Sequence, residues 1–171
     1  IADDGYAVYN SDSENVLRAM RDYKGKRVTF GLESDAEFTA GNIVFDHGRA
    51  EFDILKKGTL FAHIKLGVTG RHNILNSLAA AAAADICGVP AEAVEKGLAS
   101  YRGAKRRMEY RGSFTTASGA SVPLFDDYAH HPTEIRATLS GAKEMGYKRV
   151  WVVFQPHTYS RTKAFLEDFA D

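Results

Sequence analysis

The sequence has few of the features that would place it in a specialised class of protein. It contains one cysteine, Cys87, which excludes a disulfide framework. Because Cys87 lies in an alanine-rich helical pattern, we expect it to pack and not to react. With 22 basic and 22 acidic residues the formal net charge is zero, so the charge favours neither nucleic acid nor a membrane surface as a partner. No hydrophobic run approaches the roughly 18 residues of a membrane span, since the longest is mostly alanine and contains Asp85.

What is present is an ordinary globular composition, with 44% hydrophobic and 26% charged residues. No signal peptide opens the chain, so we expect a cytoplasmic protein. The chain begins at Ile1 without an initiating methionine, and Asp171 ends it inside a helical pattern. We therefore expect a fragment of a longer protein.

The first part of the chain predicts a small antiparallel sheet followed by helices. Residues 27–66 alternate between apolar and polar around turn signals at Asp46–Gly48 and Lys57–Gly58. The period then changes, and a long helix opening at His72 is predicted to end at Gly88. A shift in composition near Gly112 predicts a boundary there, so the first domain would span residues 1–111.

The remaining residues, 112–171, predict a parallel α/β unit. A short strand at 122–125 precedes a helix that starts at Pro132 and ends at Gly146, and a nearly continuous apolar run, Arg149–Phe154, reads as a strand buried on both faces. A last helix is predicted to start at Ser160 or Thr162. Strand, helix, strand and helix in this order form a right-handed crossover. The fold class is therefore α/β.

The ionisable side chains most suited to binding or catalysis lie in the turn that follows Phe125. Asp126, Asp127, His130 and His131 lie within six positions, at the carboxyl end of a predicted strand, where α/β proteins usually bind ligands. The two aspartates could bind a metal, hold the two hydroxyls of a ribose, or cap the following helix. Zinc ligation by the histidines is disfavoured because no H-x-x-x-H spacing exists. Recognition of a substrate is the favoured role.

In the predicted crossover, the loops after Phe125 and after Phe154 lie side by side. Tyr128, His130, His157 and Arg161 would then converge although they are not neighbours in sequence. Arg161 is predicted at the amino end of a helix, where a cation is unfavourable, so its presence suggests an anionic ligand such as a carboxylate.

Two further pairs of residues are candidates for binding. Asn73 and Asn76 are three residues apart and project from one helix face, and an amide offers the donor and acceptor that match the edge of adenine. The alternative is that one of them caps the helix. Arg106 and Arg107 follow a glycine; taken alone, such arginines are solvated more often than they bind phosphate.

Four motifs, in order, make the sequence recognisable. They are Gly70–Asn76 with the alanine run, Gly103–Glu109 with its paired arginines, Asp126–Glu134, and Phe154–Thr162. Together they resemble the Mur ligases over nearly the whole chain. Within that family they are more similar to the members that add L-alanine to UDP-N-acetylmuramate than to those that recycle murein tripeptide.

The resemblance implies an ATP-dependent, amide-forming ligase of peptidoglycan synthesis that works through an acyl phosphate. Residues 1–111 would be the end of a P-loop-type central ATP-binding domain, and residues 112–171 the start of a Rossmann-like carboxy-terminal domain. By motif, four residues would bind ATP and four would form the pocket for the amino acid. The first set is Asn73 and Asn76 near adenine, Arg107 near the nucleotide and Asp127 on the ribose; the second is Tyr128, His130, His157 and Arg161.

The sequence also departs from the family pattern. The glycine-rich phosphate loop, the acid that binds Mg²⁺ and the uridine-binding domain are missing, and Gly67–Gly70 is too short to replace the loop. We expect the Mg²⁺ ligands to lie outside this chain and the chain alone to be inactive. A tripeptide-recycling ligase and a non-catalytic nucleotide-binding module are the alternatives. We also expect self-association through the apolar edge at Arg149–Phe154.

Overall fold

The computed structural model describes residues 1–2 and 4–170. They form two compact units, Ile1–Tyr101 and Arg102–Asp171. The mixture of sheet and helices confirms the predicted α/β class. No helix in the described part of the chain has the length and apolar character needed to cross a bilayer. The predicted division between residues 111 and 112 remains a prediction.

The first unit is a five-stranded sheet with three helices. Its strands lie in the order β1-β2-β3-β4-β5. The elements are β1 (Tyr6–Asn10), α1 (Glu14–Met20), β2 (Lys26–Phe30), β3 (Phe38–Asp46), β4 (Arg49–Lys56), β5 (Thr59–Thr69), α2 (His72–Ile86) and α3 (Ala91–Ser100).

The sheet is mixed and not wholly antiparallel. Strands β3, β4 and β5 are antiparallel, as the alternation in residues 27–66 predicts. Strand β2 instead runs parallel to both β1 and β3, so its assignment to an antiparallel sheet was wrong. For β1 and β2 the reason is the connection through α1, because a strand that follows such a crossover runs in the original direction; β2 and β3 share one residue pair, Phe30 and Phe38.

The two hairpin turns have the geometry that their glycines suggest. His47 and Gly48 have φ of 47° and 76°, and Lys57 and Gly58 have φ of 51° and 77°. Positive φ at both central residues is the type I′ turn, whose twist matches that of the flanking strands. Both turns were predicted from sequence.

The core of this unit lies between α2 and one face of the sheet. Six large side chains are fully buried: Phe38, Phe52, Ile54, Ile64, Ile74 and Leu78. Helix α2 presents Ile74, Leu78, Ala81 and Ala82 on one side, and its alanines allow close approach. The helix ends at Ile86 with Cys87 as its C-cap, and Gly88 with φ of 74° follows, as predicted. Cys87 itself is exposed, so the prediction that it packs was wrong.

The second unit contains a two-stranded antiparallel hairpin and three helices. These are β6 (Glu109–Thr115), β7 (Ser121–Asp126), α4 (Pro132–Glu144), α5 (Tyr159–Ala164) and α6 (Leu166–Ala170). Helix α4 begins at Pro132, and Gly146 with φ of 78° follows its last turn, as predicted. Helix α5 begins at Tyr159, slightly before the predicted start.

The predicted parallel strand at Arg149–Phe154 is not formed. These residues have no strand assignment, and within the described part of this unit β7 pairs only with β6. Trp151 is 80% exposed and Val153 101% exposed. A strand of this composition needs neighbouring strands and a layer on both faces, and among the described residues of this unit no strand pairs with it. The apolar run is therefore exposed.

Candidate functional site

The loop that follows β7 is tied to the turn that precedes β6. The backbone N–H of Tyr128 donates to the carbonyl of Arg106 at 2.8 Å, and the N–H of Met108 donates to Oδ2 of Asp127 at 2.9 Å. Arg106 and Met108 have φ of 56° and 46°, although neither is glycine. Such left-handed residues cost on the order of 1 kcal/mol each and occur where the surroundings enforce them. We call residues 105–109 the clamped turn.

Glu109 holds the clamped turn from its other side. Its Oε2 accepts the N–H of Arg106 at 2.8 Å, and its Oε1 pairs with the guanidinium of Arg111 at 3.0 Å. The hydrogen bond from Arg106, followed by the bond from Arg111, lowers the pKa of the Glu109 carboxyl. The carboxylate is therefore charged at neutral pH and holds the left-handed residues in place.

Asp127 joins the two loops with one carboxylate. While Oδ2 accepts from Met108, Oδ1 accepts from the N–H of Ala129 at 2.7 Å. Each oxygen keeps a further lone pair, so the geometry remains compatible with the hydroxyls of a ribose. The alternative that Asp126 or Asp127 caps α4 is wrong, because the residue at the N-cap position is His131.

Arg106 and Tyr128 pack against each other above this junction. The guanidinium carbon Cζ of Arg106 lies 4.6 Å from the centre of the Tyr128 ring, and its Nε lies 3.5 Å from Oδ2 of Asp126. A cation over an aromatic ring contributes about 0.5–1 kcal/mol at an exposed site. Arg106 thus has partners within its own unit and is not merely a solvated charge.

Glu134 is the residue at this site that sequence reasoning missed. Its Oε2 accepts the backbone N–H groups of His130 at 3.1 Å and His131 at 3.3 Å, and its Oε1 lies 3.6 Å from the guanidinium of Arg107. The side chain of His131 accepts from the N–H of Thr133, which completes a capping box. The signal was in the sequence: a Glu three residues after the N-cap position, with proline between them.

The surroundings of Glu134 favour its charged form. The backbone N–H of His130 is the largest cause of a lowered pKa for this carboxyl, and partial burial opposes it. The N–H of His131 and the charges of His130 and Arg107 add to the lowering. Glu134 is consequently an anion at neutral pH.

His130 lies between Tyr128 and Glu134. Its Nδ1 is 2.8 Å from the carbonyl oxygen of Tyr128 and 3.4 Å from Oε2 of Glu134, and the two aromatic rings are 5.0 Å apart. Its side chain is 27% exposed. Of the four residues predicted for the amino-acid pocket, the structure thus brings these two together.

The other two predicted pocket residues are placed differently. His157 is exposed before α5, and Arg161 is half-buried within that six-residue helix, where it belongs to the last turn as well as the first. Arg161 lies in the first turn, as predicted, but equally in the last, so its role as a ligand for an anion stays a prediction. In the described part of this unit, no hydrogen bond, ion pair or ring contact joins His157 or Arg161 to Tyr128 or His130.

The loop after β7 does contact the region of α5, through a different pair. The ring of His131 lies 4.8 Å from that of Phe165, the C-cap residue that follows α5. Because Phe165 lies beyond the loop that follows Phe154, this contact does not test the predicted proximity of the two loops, which stays a prediction.

Asn73 and Asn76 form a hydrogen-bonded pair at the start of α2. Nδ2 of Asn73 donates to the carbonyl of Thr69 at 2.8 Å, and Nδ2 of Asn76 donates to Oδ1 of Asn73 at 3.0 Å. The N-cap is Arg71, so the alternative that one asparagine caps the helix is wrong. Asn73 orients Asn76, whose exposed amide keeps an acceptor oxygen and one N–H for another group.

The described residues contain no group of three or more His, Cys, Asp or Glu side chains that could hold a metal ion.

Comparison with protein-family models gives two matches. Residues 1–84 match the Mur ligase middle domain, and residues 106–171 match the Mur ligase glutamate ligase domain. The chain belongs to the Mur ligase family. The resemblance predicted from the four motifs is confirmed.

Comparison with individual Mur ligases shows which members of the family this chain is similar to. It is 44% identical over 99% of its length to the UDP-N-acetylmuramate–L-alanine ligase of Acetivibrio thermocellus, of which it covers 36%. The crystal structure of UDP-N-acetylmuramate-alanine ligase MurC from Thermotoga maritima aligns with 81% of this chain and 31% of that one, at 34% identity and a TM-score of 0.66. The murein peptide ligase of Psychrobacter arcticus aligns with 92% of this chain and 32% of its own, at 27% identity and a TM-score of 0.65.

This Mur ligase chain thus spans about a third of the length of the relatives it matches. The loop of Asp126–Glu134 and the clamped turn at residues 105–109 lie almost wholly within the second matched region.

Proposed function

We propose that this chain is part of an ATP-dependent ligase that adds L-alanine to UDP-N-acetylmuramate during peptidoglycan synthesis in the cytoplasm. The observation that carries the proposal is the 44% identity over 99% of the chain to a ligase of that name. In the structural alignments the identity is 34% to the MurC of Thermotoga maritima and 27% to the murein peptide ligase. ATP, when bound, would supply the phosphoryl group that converts the muramate carboxylate into an acyl phosphate open to attack by the amine.

The proposed nucleotide-binding roles rest on hydrogen-bonding groups of Asn76 and Asp127 that remain available to a ligand. Asn76, oriented by Asn73, presents a donor and an acceptor, the pair that an adenine edge requires. Asp127 keeps lone pairs on both oxygens after accepting two backbone N–H groups, and these would accept ribose hydroxyls. Arg107 would lie near the nucleotide, with Glu134 holding its guanidinium. We assign the phosphate loop and the Mg²⁺ ligands to the part of such a ligase that this chain does not cover.

The amino-acid pocket is proposed around Tyr128 and His130. Their rings are in contact, and His130 offers a partly exposed ring nitrogen. His157 and Arg161 would complete the pocket, with Arg161 binding the carboxylate of the amino acid. For His157 and Arg161 to take part, the segment around α5 must approach His130 when substrate binds.

A second candidate function is recycling of murein tripeptide. It is favoured by the alignment with the Psychrobacter arcticus ligase, which covers more of this chain than the MurC alignment does, at a similar TM-score. The two functions differ in the amino substrate and share the nucleotide, so the nucleotide-binding residues do not discriminate between them.

The decisive experiment uses the complete coding sequence that contains these residues. Phosphate release from ATP is measured with UDP-N-acetylmuramate and either L-alanine or the tripeptide. Stimulation by L-alanine is expected, whereas stimulation by the tripeptide alone would favour the recycling enzyme. A coding sequence without a phosphate loop, whose product binds nucleotide but releases no phosphate, would identify a binding module.

We also infer that this chain alone self-associates. Trp151 and Val153 are exposed in an apolar segment, which is the kind of surface that pairs with another chain.

A further inference from the structure

Two adjacent histidines at the start of α4 are held in opposite tautomers. Nδ1 of His130 faces only acceptors, the carbonyl of Tyr128 at 2.8 Å and a carboxylate oxygen of Glu134 at 3.4 Å, so Nδ1 must carry the proton. Nδ1 of His131 accepts the backbone N–H of Thr133 at 3.3 Å, so there Nδ1 must be unprotonated. In their neutral forms, His130 therefore has its lone pair on Nε2, and His131 has its proton on Nε2.

The two histidine rings also differ in their contacts. His131 caps α4, and its ring packs against Phe165 at 4.8 Å. Nε2 of His130 has no hydrogen-bond partner among residues 1–2 and 4–170, and its side chain is partly exposed. Two histidines that look equivalent in sequence are thus a structural cap and an outward-facing acceptor.

Glu134 is the group that holds His130 in this state. A single oxygen, Oε2, accepts the backbone N–H of His130 and lies near the Nδ1 of the same residue, so it restrains both the main chain and the ring. The second oxygen is 3.6 Å from the guanidinium of Arg107, which opposes rotation of the carboxylate. A capping box alone needs only the backbone contact, so the contact with the ring is additional.

We propose that Glu134 is a positioning residue that keeps the Nε2 lone pair of His130 free to accept a proton from the primary ammonium group of the amino-acid substrate. The inference rests on the proposed ligase function. It assigns different roles to the neighbouring histidines and adds a residue that the predicted pocket did not contain.

The proton balance of this step is simple. The substrate R–NH₃⁺ gives one proton to Nε2 and becomes R–NH₂, whose lone pair is then available for attack on the activated carboxyl carbon. His130 becomes an imidazolium with both ring nitrogens protonated. Its Nδ1–H remains bonded to the Tyr128 carbonyl, and the Glu134 carboxylate stabilises the new charge at short range.

The first test is independent of ligase activity. Nitrogen chemical shifts of the ¹⁵N-histidine-labelled 171-residue chain, recorded above the titration range of histidine, report which ring nitrogen is protonated. We expect an unprotonated Nε2 in His130 and an unprotonated Nδ1 in His131. Finding His130 with its proton on Nε2 would overturn the proposal, whatever the chain catalyses.

The second measurement concerns Glu134 itself. Glu134→Gln keeps a carbonyl oxygen for the backbone N–H groups but removes the charge, so we expect both tautomers of His130 to be populated while His131 is unchanged. Glu144→Gln is the matched control, because Glu144 is exposed near the other end of the same helix and should leave both histidines unaltered. An unchanged His130 in Glu134→Gln would refute the positioning role.

The third measurement uses the complete ligase. General base catalysis contributes about 10²–10⁴-fold, so we expect His130→Gln to lower kcat by about 100-fold and Glu134→Gln by about tenfold, with the KM for ATP little changed. The activity of Glu134→Gln should recover as pH rises and more of the amine is free. A loss confined to KM would contradict the proposal. A wild-type ligase without any activity would refute the proposed function instead, and would leave the tautomer result standing.

Discussion

Replacing Asp127 by asparagine tests the physical basis of the site, the junction between two loops. Both oxygens of Asp127 accept backbone N–H groups, from Met108 at 2.9 Å and from Ala129 at 2.7 Å. An asparagine offers one oxygen and one NH₂, so in either orientation one of the two N–H groups faces another donor. Asp127→Asn therefore removes a charge-assisted hydrogen bond and leaves a donor without its acceptor.

The expected cost follows from those two losses. A hydrogen bond to a charged group contributes about 1.5–3 kcal/mol, and partial exposure of Asp127 to water reduces the effect. We therefore expect Asp127→Asn to lower the free energy of opening the clamped turn by about 2 kcal/mol. Met108 would also be free to leave its left-handed conformation. Asp126→Asn is the control, because Asp126 makes only an ion pair of 3.5 Å with the partly exposed Arg106, a contact that contributes about 0–1 kcal/mol.

Amide hydrogen exchange measures this effect locally. A cost of about 2 kcal/mol corresponds to a fall of about 25-fold in the protection of the Met108 amide, at a tenfold change for every 1.4 kcal/mol. Asp126→Asn should change that protection by less than about fivefold. Equal effects of the two substitutions, or no loss of protection in Asp127→Asn, would show that Asp127 does not hold the clamped turn.

Three further predictions concern other parts of the chain. Lys57→Asn should stabilise the first unit by about 0.5 kcal/mol in urea unfolding, because asparagine tolerates the positive φ at this turn position better than lysine. High salt screens the 3.4 Å ion pair between Lys57 and Glu37 that the substitution removes, so a loss of stability under that condition would contradict the turn geometry. Hydrogen bonds to Asp53 and Glu51 raise the pKa of His63, so its stabilising contribution should be complete below pH 6.5 and fall as pH rises through the higher folded value. His63→Gln should therefore cost more stability in thermal melts at pH 5.5 than at pH 8.5, and an equal cost at both would refute this. Trp151→Ser should shift light scattering of the chain towards monomer, whereas a wild-type chain that is already monomeric would rule out self-association through this segment.

The sequence predicted well wherever local pattern decides structure. The ends of α2 and α4 follow from Gly88, Pro132 and Gly146, since φ preferences act at the residue itself. The two type I′ hairpins follow from Gly48 and Gly58 for the same reason. The family also followed from sequence, because four motifs in a fixed order carry more information than any one of them.

Prediction from sequence was weaker for strands whose pairing partners are distant in the sequence. The direction of β2 depends on the crossover through α1, and the absence of a strand at Arg149–Phe154 depends on which neighbours are present in the sheet. Composition reports that a segment suits burial; it does not report whether another strand is there to bury it.

For the site, the sequence by itself determined which chemical groups are present, their order, and the family to which they belong. The tertiary structure decided which partners each group contacts. It made His131 the cap of α4, placed Nδ1 of His130 against the carbonyl of Tyr128, brought Glu134 to His130 and Arg107, and directed Asp127 to the N–H of Met108 in a left-handed turn. The physical reason is that hydrogen bonds and ion pairs act over about 3–4 Å, so their partners are selected by the folded path of the chain.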